Sequence, residues 1–226
     1  NLYADTTGFQ IGVQLDVMAY SWKSHTLLSG TSIGQEAQSL STDALGQATV
    51  VDVALASDVA VTVSRLVPAA ETAQTNSAVN LQDAIAILKM IVGLPVNGAN
   101  QALSPYQALA ADFDGNGQVS LTDAIGVLKH VVGLSAPAPT WHFVDESSTA
   151  VAGITATPLS PGQPPAIEID TLAATSPLHV GLVGYLRGDV DGSFAGLVGA
   201  NDLDVTQPSY FQDLTAQTGF NLSQFG

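Results

Sequence analysis

The run Asp112-Phe-Asp-Gly-Asn-Gly-Gln-Val-Ser-Leu-Thr-Asp123 places oxygen-bearing side chains at positions 1, 3, 5, 9 and 12 of a twelve-residue stretch, with glycine at position 6. Carboxylates at alternate positions converge on one point when the backbone wraps around it, and Gly117 permits that turn. A hard cation that wants six to eight oxygens is the ligand for such a loop, and the spacing is that of a calcium site. The last acid is Asp123, where the usual calcium loop closes with glutamate. A second acidic turn, Gly188-Asp-Val-Asp-Gly-Ser193, puts Asp189, Asp191 and Ser193 at positions 1, 3 and 5. Its closing acid comes later than position 12, among Asn201, Asp202 and Asp204. A calcium site with a looped-out insertion and a set of Asx turns capping the final segment both fit this pattern.

The elements around the first loop must hold it. The helix predicted after it, Leu121 to Leu134, has a near twin in Leu81 to Leu94, 40 residues upstream, with Asp, Ala, Ile, Leu, Lys, Val, Gly and Leu recurring in register. In each copy an aspartate, Asp83 or Asp123, begins the helix, where a carboxylate suits the orphan amides, and Gly93 or Gly133 ends it. Ile85, Leu88, Ile91 and Val92 form one apolar stripe, matched by Ile125, Leu128, Val131 and Val132, so the helices are expected to pack through these stripes. Counting back from Asp83, the loop positions 1, 3 and 5 hold Thr72, Gln74 and Asn76, with Ser77 in place of glycine, so the first copy is read as a loop that has lost calcium. Ser104-Pro105 starts a short helix leading into the intact loop.

The flanks follow another period. Segments 11–22, 48–56, 58–66, 141–145, 166–172 and 179–187 are rich in Val, Ile, Leu and Thr, and several alternate, as in Ala60-Val-Thr-Val-Ser64. They predict a mixed, mainly β fold: an antiparallel, immunoglobulin-like β-sandwich with the helical pair and its loop inserted. The corresponding boundaries are 1–67 for the first part of the sandwich, 68–138 for the insert, and 139–226 for the second part with the acidic turn. Two consecutive domains are the alternative. The proline-rich stretch 155–165 is expected to be a surface loop.

Composition narrows the function. The 226 residues carry 20 acids against five bases, a formal charge of −15, which disfavours nucleic acid and anionic membrane surfaces and favours cations. Two calcium ions would neutralise four of those fifteen excess charges. With no cysteine there is neither disulfide nor thiolate site, and no run is long enough to insert in a membrane. The chain opens on Asn1 rather than Met, as a processed product or fragment would. His25, His130, His142 and His179 are dispersed, and no nucleophile elbow, phosphate loop or dinucleotide fingerprint occurs, so no catalytic residue and no organic cofactor is assigned. Trp22 and Trp141 are read as core, and Lys23 raises the idea of a Lys–Asn isopeptide bond.

The loop followed by an Asp-Ala-x-x-x-Leu-Lys helix, in two related copies over about 60 residues, resembles the dockerin type I repeat with its EF-hand-like loop. Trp22-Lys-Ser-His25, Ser104-Pro-Tyr-Gln107, Gly188 to Ser193 and Leu203-Asp-Val-Thr-Gln-Pro208 extend the likeness. Together they resemble the C-terminal region of large, secreted, calcium-dependent bacterial proteins of RTX-like or surface type. The resemblance implies calcium ligands at Asp112, Asp114, Asn116, the Gln118 carbonyl and Asp123, with Ser120 acting through water, and a second set at Asp189, Asp191 and Ser193. True dockerins carry two intact loops. Here the first is degenerate and the spacer is long.

The expectation is a non-catalytic, calcium-stabilised structural module of an extracellular or cell-surface bacterial protein, serving a filament, sheath, surface layer or adhesin. Self-association or other extracellular proteins are the expected partners, and Asn1 to Gln14 is a stretch that could pair with a neighbour's sheet edge. A dockerin-like adaptor binding a cohesin-like partner, and an accessory domain of a secreted enzyme, are the alternatives.

Overall fold

A computed structural model describes residues 12–172 and 177–196. Helix and strand contribute about equally, arranged as two four-stranded sheets and five α-helices among the described residues. Strands β1 (Val13–Ser21), β2 (Ser32–Gln35), β3 (Gln38–Ser41), β4 (Gln47–Val53) and β5 (Val59–Ser64) precede helices α1 (Thr72–Ala78), α2 (Leu81–Ile91), α3 (Pro105–Ala111) and α4 (Leu121–Val131). Strand β6 (Trp141–Asp145), helix α5 (Thr149–Gly153), β7 (Ile167–Ile169) and β8 (Leu178–Leu186) follow.

One sheet runs β4-β1-β8-β6 and the other β3-β2-β5-β7. The antiparallel expectation fails at the centre of the first sheet. There β1 and β8 pair in parallel from Leu15 opposite Leu178 to Ser21 opposite Gly184, while all other pairs are antiparallel. Both strands are buried on both faces, as their near-continuous apolar runs require. Alternation along β5, Val-Ala-Val-Thr-Val-Ser, buries Val59 and Val61 and exposes Ala60 and Thr62. The β2–β3 hairpin escapes sequence patterning because its strands are short and mostly Ser, Gly and Gln, with only Ile33 and Leu40 apolar, joined by a tight turn with Glu36 at φ 48°. Trp22 and Trp141 are both buried, and Trp141 packs edge-on to Phe194 with the Arg65 guanidinium 5.4 Å from its ring centre.

Helices α2 and α4 pack together, each opened by a complete capping box, Asn80 with Asp83 and Ser120 with Asp123. The buried faces differ from the expected stripe. Asp83, Ala84, Ala86, Ile87 and Met90 of α2 are buried, and so are Asp123, Ala124 and Val127 of α4. Ile85, Leu88 and Val92, with Ile125, Leu128, Val131 and Val132, are exposed. The reason is the aspartate. With Asp83 and Asp123 pointing inward, the helical period brings the same face inward at Ala84, Ala86, Ile87 and Met90 and at Ala124 and Val127.

Candidate metal centres

Helix α3 is capped by Ser104, has Pro105 in its first turn, and is buried along its whole length. It ends at Asp112, where the chain enters the acidic loop. Phe113, at loop position 2, is 1% exposed and anchors the loop in the core, edge-on to His130. Gly115 and Gly117 adopt φ +78° and +84°, which side chains resist, so glycine is required at both. Asp112, Asp114 and Asp123 then offer oxygens lying within 4.8 Å of one another.

Amides hold each carboxylate in place. The Asn116 and Gly117 N–H groups donate to Asp112 at 3.0 and 2.9 Å. The Asp114 N–H donates to Asp123 Oδ1 at 3.1 Å, the Ser120 N–H to Asp123 Oδ2 at 2.8 Å, and the Asn116 N–H to Asp114 at 3.1 Å. Burial raises the Asp112 carboxyl above its ordinary value, against the Gly117 amide and the Arg187 charge that lower it. The proline-rich surface loop also reaches this site. The Val119 N–H donates to the Leu159 carbonyl, the Gly162 N–H to the Gly117 carbonyl, and the Gln163 side-chain amide to the Gly115 carbonyl.

Among the described residues, the second centre takes its third acid from a distant part of the chain. Asp189 and Asp191 follow the end of β8, fixed where the Gly188 N–H donates 2.8 Å to the Ala110 carbonyl at the end of α3. Asn201, Asp202 and Asp204, expected to close the site, lie outside the described residues. The acid that converges on Asp189 and Asp191 is Asp83, at the start of α2, with oxygens of all three within 4.8 Å of one another. The Asp191 N–H donates to Asp83 across 108 residues of chain.

This split centre reproduces five amide-to-carboxylate bonds of the intact loop. The Ser193 and Phe194 N–H groups donate to Asp189 at 2.8 and 3.0 Å, as Asn116 and Gly117 do to Asp112. The Asp191 N–H reaches Asp83 Oδ1 at 2.9 Å and the Asn80 N–H reaches Asp83 Oδ2 at 2.8 Å, as Asp114 and Ser120 do to Asp123. The Ser193 N–H donates to Asp191 at 2.9 Å, the counterpart of Asn116 to Asp114. Val190, at position 2, is buried as Phe113 is, and Val79 is buried as Val119 is. The Ala78 carbonyl, at position 7 counted back from Asp83, lies 3.0 Å from the Ser193 hydroxyl at position 5. Residues 189–194 therefore supply the front of a calcium-type loop and residues 78–83 its back.

Two orphans in the sequence pointed to this: a closing acid, Asp83, without a loop, and a loop at Asp189 without a near closing acid. Thr72, Gln74 and Asn76, the loop positions counted back from Asp83, lie in α1. Burial pushes Asp83 up to about 7 against the backbone amides that lower it. Asp189 is pushed up by burial and then by the nearby Asp83 charge. Such a trio is costly to ionise alone and suited to a divalent cation.

The remaining sequence candidates do not join a centre. Among the described residues none of the histidines belongs to either trio, and the Lys23 amino group donates to the Asp191 main-chain carbonyl. The Gln118 side chain accepts a bond from the Ser160 hydroxyl at 3.0 Å. Of Asn1 to Gln14, residues 1–11 lie outside the described part, and Val13 and Gln14 belong to β1. A separate open cleft of about 340 Å³ is lined by Asp145, Glu146, Glu168, Asp170 and His179, without the convergence of the two trios. No protein-family profile, curated protein or solved structure matches the chain.

Proposed function

We propose that this is a non-catalytic, calcium-stabilised structural module of an extracellular bacterial protein, a subunit of a filament, sheath, surface layer or adhesin. The two sheets are read as an immunoglobulin-like β-sandwich into which the helical pair is inserted. The observation that carries the proposal is the matched pair of acid centres, one local and one joining α2 to the end of β8. All ligand atoms are oxygens, the choice of a hard cation, and the donor set fits calcium better than a soft metal. Asp112, Asp114, Asn116, the Gln118 carbonyl and Asp123 hold one ion. Asp189, Asp191, Ser193, the Ala78 carbonyl and Asp83 hold the other.

The mechanism is linkage. An ion that binds only the folded chain stabilises it by about 2.7 kcal/mol at a hundredfold excess over Kd. Inside a cell, calcium is scarce and the acids repel. Outside, at roughly millimolar calcium, extracellular-type sites fill and the fold locks. The split centre adds what a local loop cannot, because its ion bridges chain segments 108 residues apart. Calorimetric calcium titration with melts in calcium and in chelator tests the proposal. Two ions bound and a chelator-sensitive Tm are expected, and a chelator-insensitive Tm refutes it.

A second reading is favoured by one observation. Leu81, Ile85, Leu88 and Val92, and their counterparts Leu121, Ile125, Leu128 and Val132, are all exposed at matching positions of α2 and α4. Duplicated apolar stripes of this kind suit protein docking, so an adaptor role toward a cohesin-like partner is the alternative. Pull-down against cohesin-type domains, lost on Asp112→Ala, would support it, and absence of binding by the unaltered chain would eliminate it.

A further inference from the structure

The five bases of this acidic chain are distributed with a pattern. Arg65 is buried against Glu71, and Lys89 and Lys129 lie in the last turns of α2 and α4. The other two, Lys23 and Arg187, rest against the two acid centres at the same point. A Cβ on Gly115 would meet Arg187 Nη1 at 2.4 Å and Cζ at 3.0 Å. A Cβ on Gly192 would meet Lys23 Cδ at 2.7 Å and Cβ at 2.9 Å, and the Lys23 amino group donates to the Asp191 carbonyl. Gly115 and Gly192 both occupy position 4 of their centres, at φ +78° and +65°. The bases arrive from different strands, Lys23 just after β1 and Arg187 just after β8.

A cation beside a cation site acts in two directions. It opposes the incoming ion, and it relieves the mutual repulsion of the acids when no ion is bound. The Arg187 Nε is buried without a hydrogen-bond partner, while its guanidinium also bonds the Tyr185 side chain.

We propose that Arg187 and Lys23 are resident counter-cations of the two centres, which support the ion-free loops and weaken calcium binding so that the sites fill at extracellular rather than intracellular calcium. This inference rests on the calcium reading above. Arg187 is half-buried and Lys23 exposed, so solvent screens Lys23 more and its effect is the smaller.

Calcium titration of the full chain separates the two claims. Arg187→Met and Arg187→Gln should tighten Kd at the first centre by roughly three- to tenfold, from one removed charge at close range. Arg187→Lys should stay within about twofold of the unaltered chain, since it keeps the charge. Lys23→Met should tighten the split centre by a smaller factor, every gain should shrink in high salt, and melts in chelator should shift down for Arg187→Met. A purely structural role for Arg187 would instead loosen calcium in all three of its variants. Two ions bound with no tightening in the neutral variants overturns this inference and leaves the calcium reading intact. An unaltered chain that takes up no calcium overturns both. Should the neutral Arg187 variants fail to fold, Lys23→Met decides, and unchanged affinity there overturns the inference.

Discussion

Asp83→Asn isolates the split centre, because it removes one ligand charge while keeping a side chain of the same shape at the start of α2. Asp83 accepts from the Asp191 N–H at 2.9 Å and the Asn80 N–H at 2.8 Å. Asparagine keeps an acceptor for one of these and turns a donor toward the other, a loss of about 1 kcal/mol by capping and hydrogen-bond scales. Against that stands relief: Asp83 is fully buried beside Asp189 and Asp191, and burial raises its carboxyl to about 7. Without calcium the two effects oppose, and the variant should melt within a few degrees of the unaltered protein. With calcium at a hundredfold excess the balance changes. Losing the split-site ion removes about 2.7 kcal/mol. At about 2–4 °C per kcal/mol for a chain of this size, Tm should fall by roughly 5–11 °C. Differential scanning calorimetry in calcium and in chelator reads the melts, and titration calorimetry reads the stoichiometry, which should drop from two ions to one. A variant that still binds two ions with the full calcium-dependent rise in Tm refutes the assignment of Asp83 and returns the closing role to residues after Gly196.

Asp112→Asn should remove the first ion alone, leaving one calcium and part of the Tm rise, as read by the same titration. Ile87→Ala should cost about 2–5 kcal/mol in chemical denaturation because Ile87 is fully buried, whereas Ile85→Ser, on the exposed face, should cost less than about 1 kcal/mol. The pH dependence should invert with calcium. Asp83 and Glu146 are each raised by burial to about 7, from an unfolded value of about 4, so the calcium-free fold holds more protons than the unfolded chain in that interval. Its stability should therefore fall as pH rises from about 4 to 7, seen as a declining Tm in chelator. With calcium, protons compete for Asp83, and acidification should weaken binding instead.

Much of the local structure was legible in the residues. Ser104-Pro105 starts α3 and Asn80 and Ser120 cap their helices, because capping is satisfied within a few residues. The long apolar segments became β1, β4, β5, β6 and β8. The polar β2–β3 hairpin was not legible, since its pairing depends on neighbours rather than on an apolar period. Which helix face is buried was also hidden. Hydrophobicity alone favoured Ile85 and Leu88, yet the inward aspartates Asp83 and Asp123 set the rotation.

The sequence by itself determined the first acid cluster, because Asp112 to Asp123 carries its three carboxylates in one loop and its glycines dictate the path. It also held both halves of the second centre, in Asp83 and in Asp189 to Ser193. Only the tertiary structure joined them. The bond from the Gly188 N–H to the Ala110 carbonyl ties the end of β8 to the end of α3, and the bond from the Asp191 N–H to Asp83 ties the turn after β8 to the start of α2. Convergence of oxygens is a property of space, and spacing along the chain reports it only when one loop supplies them all.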